Sequence, residues 1–353
     1  MPDALPSVRF RPEHTLASYE LAIQMGADFI ECDVVLTKDL VPVCRHEPLV
    51  SATTDADAKF PEKNTTYVID GTPYTGVFTV DLTLAELKML RARQQLPERD
   101  QSYNGMYEVP TLEEYIMLAK HANRVVGIYP ETKHPTWHDN LAIVKEAKTT
   151  ISDIVLNLLK KHGYKGPINS PAWARRPAFI QSFEVNNLKY LATKTCIPLI
   201  QLMDDFDTEV PDVPGTTYSD LMTDQSLARI AAYASGVGPW KNTLMIKKAN
   251  ATDVRNGAGL MSSGLAERIH KFGMQLHPYT WRDEAYRLAY GNFSTPYDEY
   301  ELFFVKLGID GCFTDFAATL SSWLKIKDME AGRQWNTHLI NRPGKAKAAN
   351  PKC

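Results

Sequence analysis

Short apolar runs recur along the chain, separated by longer stretches in which apolar residues fall three and four positions apart. The first kind reads as buried strands and the second as amphipathic helices. Strands are expected to start at Phe29, Val125, Phe179, Ile197, Thr243, Met274 and Asp310. Phe29–Leu36 is the strongest of them, an apolar, β-branched run that turns at Lys38-Asp39 and returns through Val41-Pro-Val-Cys-Arg-His46. Helices are expected from Pro12, with Leu16, Tyr19 and Ile23 on one face, and over Leu82–Leu90, Leu112–Lys120, Asn140–His162, Ser226–Ala234, Gly264–Phe272 and Pro296–Leu307. One begins near Val185 and one follows Asp315. Residues 48–80 are polar and carry Pro61, Gly71, Pro73 and Gly76, which reads as an insertion. Residues 1–328 form the expected barrel and 329–353 an extension whose Lys-, Ala- and Pro-rich end, Asn341–Cys353, is expected to be disordered.

Strands alternating with helices give a parallel sheet covered by helices, the α/β class. The strand starts number seven, one short of a (β/α)8 barrel. A doubly wound open sheet would place a Gly-rich phosphate turn after an early strand, and none occurs. The expectation is a distorted (β/α)8 TIM barrel that lacks its first strand or replaces it poorly with Val8–Phe10.

Composition narrows the partners. A net charge of −3 offers no electrostatic basis for nucleic acid. No apolar run reaches the ~18 residues of a membrane span. Met1–Leu5 has neither the basic nor the apolar region of a signal peptide, so the chain as given is read as cytoplasmic. A targeting segment upstream of Met1 would make it secreted or organellar. Five scattered cysteines without a C-x-x-C read as buried free thiols.

The chemistry begins with Glu31 and Asp33. Residues two apart on a strand share a face, so both carboxylates project together while Ile30, Cys32 and Val34 project away. Two carboxylates in an apolar setting repel and lose hydration, so they share a proton or hold a cation. The apolar flanks favour a cation, and oxygen donors suit Ca²⁺ or Mg²⁺. Glu131 and Lys133 end the strand from Val125, and His46 ends the returning segment. Barrel active sites are built from such strand ends. Phe183, Tyr279, Trp281 and Phe316 are candidates for substrate contact or for the core.

In order, Pro12-Glu-His-Thr-Leu-Ala-Ser-Tyr19, Ile30-Glu-Cys-Asp-Val34, Leu36-Thr-Lys-Asp39, Val41-Pro-Val43, His46, Val109-Pro-Thr-Leu-Glu-Glu114, Pro130-Glu-Thr-Lys133, Gln181-Ser-Phe183, His277-Pro-Tyr-Thr280 and Gly308-Ile-Asp-Gly-Cys-Phe-Thr-Asp315 resemble the glycerophosphodiester phosphodiesterase family. The resemblance covers nearly the whole chain. It implies a distorted (β/α)8 barrel that uses Ca²⁺ or Mg²⁺ to hydrolyse small-molecule glycerophosphodiesters to an alcohol and sn-glycerol 3-phosphate. It implies metal binding by Glu31, Asp33 and Glu131, with His46 as the catalytic histidine and Lys133 as the lysine beside the metal site. Charge neutralisation on the phosphate gives Lys133 a catalytic and substrate-binding part, and Phe183, Tyr279 and Trp281 remain candidate substrate contacts from the residues alone.

The family's first strand ends in His-Arg-Gly, supplying its other catalytic histidine. Here Ala4–Val8 stands in that region, and the expectation is a chain that starts inside the barrel. His14, inside the helix-opening motif, is given no catalytic part. The alternatives are a metal-binding barrel without catalysis and a phospholipase-D-like enzyme. Leu40 stands where the family turns on glycine.

Overall fold

The computed structural model describes residues 11–249, 251, 257–291 and 293–331. The Val8–Phe10 fragment and the tail from 332 lie outside the described residues. The chain divides into two compact units, Met1–Lys165 with Pro171–Ser182, and Gly166–Ser170 with Phe183–Cys353.

The first unit holds β1 (Phe29–Leu36), β2 (Pro42–Cys44), β3 (Thr65–Ile69), β4 (Thr72–Gly76), β5 (Gly127–Thr132) and β6 (Ile180–Ser182). β1 pairs in parallel with β5, and β5 with β6, while β2 folds back antiparallel on β1. The pairing of β1 sets Asp33 opposite Glu131, and that of β5 sets Glu131 opposite Gln181. Three polar side chains therefore stand in one row across the strands. β1 is buried over most of its length, which is why its run is apolar on both faces. Under it pack Phe29, Tyr129, Trp173 and Phe179, ring against ring. Gly127 is required there, since a Cβ would lie 2.1 Å from the Phe29 ring. The 48–80 insertion is not a bare loop. β3 and β4 form a hairpin turned at Asp70-Gly71, and Tyr67 of the hairpin and Phe78 just after it pack with Trp137.

The second unit holds β7 (Leu199–Met203), β8 (Gly236–Pro239), β9 (Met245–Lys247), β10 (Leu260–Ser262) and β11 (Gln275–Leu276). β7, β8 and β11 run parallel, and β9 and β10 form a hairpin. The sequence pattern misses β8 because Gly-Val-Gly-Pro lacks strand-forming side chains. Packing requires those glycines: a Cβ on Gly236 would meet Ile200 Cδ1 at 2.7 Å and the Gln275 carbonyl at 2.8 Å. Thr243–Ile246, expected as a parallel strand, contributes instead to a 3-10 turn and β9. Asp310–Asp315 is a loop touching Trp281 through a single bridge at Thr314. The helix expected over Asn140–His162 is broken into Ala142–Glu146 and α1 (Ile151–Lys161), which Thr150 caps.

Strands and helices alternate in both units with the strands mostly parallel, and the fold is a distorted (β/α)8 barrel. The expectation of free thiols holds for Cys312 and fails for Cys32, Cys44 and Cys196. Cys32 and Cys44 form a disulfide between β1 and β2, Cys196 is also disulfide-bonded, and Cys312 is free. The missed signal is that the Lys38-Asp39 turn brings the two strands back against each other, Val34 opposite Cys44, within reach of Cys32.

Candidate active site

The site grows from the row that β1 and β5 create. Asp33 and Glu131 are 4% and 5% exposed, too buried for carboxylates without partners. Lys133, one step past β5, supplies a cation: its Nζ lies 3.2 Å from Glu131, 3.9 Å from Asp33 and 4.0 Å from Glu47. Gln181 Nε2 donates to Glu31 Oε1 at 3.3 Å. One lysine does not balance three clustered acids. Burial, and then repulsion from Asp33 and Glu131, pushes Glu31 well above the usual carboxylate range. Burial likewise raises Glu131, against the pull of Lys133, to about 8. Asp33 goes the other way. Burial would raise it, but Lys133 and the His14 hydrogen bond hold it far below the usual range. Lys133 stays charged although burial opposes it, because Glu131, Asp33 and Glu47 surround it.

His14 is the residue that sequence reasoning set aside. The helix opened by its motif spans Leu16–Gln24, one residue after its N-cap Thr15, so Pro12, Glu13 and His14 precede the helix and lie outside it. Thr15 and Ser18 form a reciprocal capping box, and Thr15 Oγ1 also donates to the Pro12 carbonyl at 2.9 Å. With the chain pinned on both sides, His14 takes a left-handed backbone, φ 50°, and its ring turns to the acids. Nε2 lies 3.0 Å from Asp33 Oδ2 and Nδ1 2.8 Å from the Tyr19 hydroxyl. His14, Glu31 and Asp33 bring ligand atoms within 4.8 Å of one another and could hold a metal ion.

At the rim stands His46, its side chain 50% exposed, its ring 6.3 Å from that of His14. Nδ1 faces Glu47 Oε1 at 3.3 Å, and Nε2 has no partner among the described residues. Lys133 and burial both lower the His46 titration, but Glu47, Asp33 and Glu13 together raise it above its ordinary value. Arg45, beside it, is fully buried; Nη2 donates to the Glu13 carbonyl at 3.3 Å, while Nε and Nη1 have no partner among the described residues.

The aromatic candidates lie in the second unit. Phe183 and Tyr279 are half-buried and meet edge to face with centroids 5.9 Å apart. Trp281 is fully buried against Phe303 with Lys241 Nζ 5.2 Å from its ring, so its surroundings give it a packing role in place of the expected substrate contact. Phe316 is also buried. Sequence reasoning missed His14, Glu47, His134, Gln181 and the disulfide. The disulfide, Glu47 and His134, each adjacent to a residue already singled out, left a signal.

The family model described as Glycerophosphoryl diester phosphodiesterase family matches residues 7–319. The chain is 41% identical over 318 residues to the glycerophosphodiester phosphodiesterase GDPD6 of Arabidopsis thaliana, covering 90% of this chain and 83% of that protein. It is 28% identical to the glycerophosphodiester phosphodiesterase of Haemophilus influenzae, over 90% of this chain and 87% of that one. Among solved structures it resembles an Oleispira antarctica phosphodiesterase, described in complex with the product sn-glycerol-3-phosphate, at TM-score 0.55 and 19% identity over 91% of this chain and 94% of the other. It also resembles the glycerophosphodiester phosphodiesterase of Agrobacterium tumefaciens at TM-score 0.52 and 18% identity, over 90% of this chain and 96% of that one. At such identities the structures establish the fold alone.

Proposed function

The chain belongs to the glycerophosphoryl diester phosphodiesterase family, and on that premise we propose that it hydrolyses glycerophosphodiesters to an alcohol and sn-glycerol 3-phosphate with the help of Ca²⁺ or Mg²⁺. The observation that carries the reading is the cluster of buried Asp33 and Glu131 with half-buried Glu31 beside Lys133, and His46 open at the rim. The donor set fits the ion. Its oxygens are those a hard divalent cation takes, and the upward pressure on Glu31 and Glu131 is what such a cation would relieve. Glu31, Asp33 and Glu131 would hold it, with His14 orienting Asp33. When bound, the ion supplies neutralisation of charge building on the nonbridging phosphate oxygens.

The chain's own groups do the rest. Lys133 presents a fixed positive charge to the same oxygens, held in place by Glu131. His46, with Nδ1 facing Glu47, keeps Nε2 for proton transfer, from the attacking water or to the leaving alkoxide. Phe183 and Tyr279 are our candidates for contact with the substrate's organic groups. Residues 1–328 are taken as one catalytic body carrying the 48–80 insertion, with 329–353 appended. No described helix is long and apolar enough to cross a membrane. The Cys32–Cys44 disulfide favours an oxidising compartment over the cytosol expected from the sequence as given. Thiol titration of the unreduced native protein checks it.

The decisive assay is release of glycerol 3-phosphate from glycerophosphocholine at saturating Ca²⁺. His46→Ala should lower the rate about 10²–10⁴-fold, the usual contribution of a positioned acid–base group. A wild-type chain that binds Ca²⁺ but releases no glycerol 3-phosphate would identify a binding module instead.

A further inference from the structure

Beyond the acids, a line of charged side chains leads from the catalytic rim to the tip of the β3–β4 hairpin. His134 stands in its middle. Nε2 lies 2.8 Å from Glu47 Oε2, and Nδ1 lies 2.6 Å from Asp70 Oδ2. The other oxygen of Glu47 faces His46 Nδ1 at 3.3 Å. With a carboxylate at each ring nitrogen, His134 is satisfied only as a double donor, the imidazolium. Burial lowers its titration, yet the bonds to Asp70 and Glu47 raise it to about 9.

The backbone is bent to make these contacts. His134 has φ 43°, a left-handed conformation for a bulky residue, and it sits directly before Pro135. Asp70 has φ 49° at the first turn position of the hairpin, where Asp-Gly suits a tight two-residue turn. The hairpin is anchored to the segment that follows His134, since Tyr67 packs edge-on against Trp137 with centroids 5.5 Å apart. Strained backbone that persists at a charged contact marks a position the surroundings over-determine. An isolated surface ion pair would contribute little, but here one carboxylate is shared between two histidines.

We propose that Asp70 and His134 are positioning residues for His46, acting through Glu47, so that the hairpin of the 48–80 insertion is a working part of the active site. Glu47 accepts from His46 Nδ1 and thereby selects the tautomer that leaves Nε2 for proton transfer. His134 fixes the second oxygen of Glu47 and stops that carboxylate from rotating away. Asp70 fixes His134. The inference rests on the reading of His46 as the proton-transfer group.

The test is a set of variants assayed for glycerol 3-phosphate release, each first checked for its melting temperature and its Ca²⁺-induced shift. His134→Gln should lower kcat about 10–100-fold, the usual cost of removing a supporting partner, with KM little changed. Asp70→Ala should lower it less, and Asp70→Asn, which keeps an acceptor for Nδ1, should recover most of the loss. In a His46→Ala background the His134→Gln effect should vanish, because residues acting as a unit are not additive. A purely structural role would leave it intact. Independently of turnover, ¹⁵N NMR of the neutral His46 ring should show the Nδ1–H tautomer in the native protein and a mixture in His134→Gln. An unchanged tautomer, or full additivity with His46→Ala, overturns the proposal. A His46→Ala protein as fast as wild type overturns the catalytic reading beneath it, and that outcome is visible in a separate arm.

Discussion

The acids and the histidines of this site are held in different ways. Asp33 and Glu131 stand on paired strands, buried, at positions the ladder leaves no freedom to shift. His14 and His134 stand on turns, each with a left-handed backbone, and are aimed by hydrogen bonds to carboxylates. A cation needs several oxygens at fixed separation, which a sheet provides through its strand spacing. Proton transfer needs one nitrogen aimed along one direction, and a bonded partner on the opposite nitrogen does that. The Cys32–Cys44 disulfide joins the two halves, since Cys32 lies between Glu31 and Asp33 and Cys44 lies two residues before His46.

The largest expected effect breaks the strand-borne half. Asp33→Asn should reduce turnover on the order of 10³-fold, as loss of a main electrostatic element does, and abolish Ca²⁺-dependent thermal stabilisation. Glu131→Gln should also lose the Ca²⁺ shift. Without metal, however, it should melt no lower than wild type, because it removes a carboxyl whose charged form burial disfavours. Calorimetry with and without Ca²⁺ reads both. A Ca²⁺ shift retained in both variants would remove these acids from the ion site.

Cutting the link between the halves comes next. Replacing Cys32 and Cys44 by serine opens a loop spanning a sequence separation of 12, and chain entropy puts the cost at about 3 kcal/mol. Urea unfolding of wild type and the double variant, both without reductant, measures it. Turnover should fall by more than that loss of stability explains, since the segment that runs from β2 to His46 would no longer be tied to the acids.

The third effect belongs to the turn-borne half and depends on pH. Asp70, Glu47 and Lys133 are the charged groups facing His134, and the two carboxylates win. The bonds to Asp70 and Glu47 push its folded titration up from the ordinary 6.5 to about 9. The stabilisation is therefore full below about pH 6.5 and lost as pH rises through about 9. Wild type should exceed His134→Gln by at most about 3 kcal/mol at the acidic end, and the gap should close by pH 10. A gap independent of pH would mean that His134 contributes packing alone.

The smallest effect sharpens what a left-handed turn means in this chain. Leu40 has φ 60° in the turn between β1 and β2, where its backbone N–H donates to the Thr37 carbonyl. Leu40→Gly should stabilise the protein by about 1 kcal/mol, the steric cost of a left-handed non-glycine residue, with turnover unchanged. His14 and His134 have the same kind of backbone, but there relief of strain should come with loss of function.

The alternation of strands and helices, and the shared face of Glu31 and Asp33, follow from the sequence by itself, because side-chain period is a local property of a strand. So does Glu131, at the end of a second apolar run, while the left-handed turn at Leu40 was signalled only by the glycine of the family the chain resembles. Tertiary structure alone decided that Glu131 lies opposite Asp33 and that Gly236–Pro239 is a strand. Those depend on register and close approach between segments distant in sequence, which no local pattern encodes. The same holds for the histidines. Nothing in Pro12-Glu-His-Thr15 says that the helix begins after Thr15 and frees His14 to meet Asp33. Nothing in a polar insertion says that its turn will carry Asp70 to His134, because long-range pairing of charges is set by packing between elements rather than by the order of residues within them.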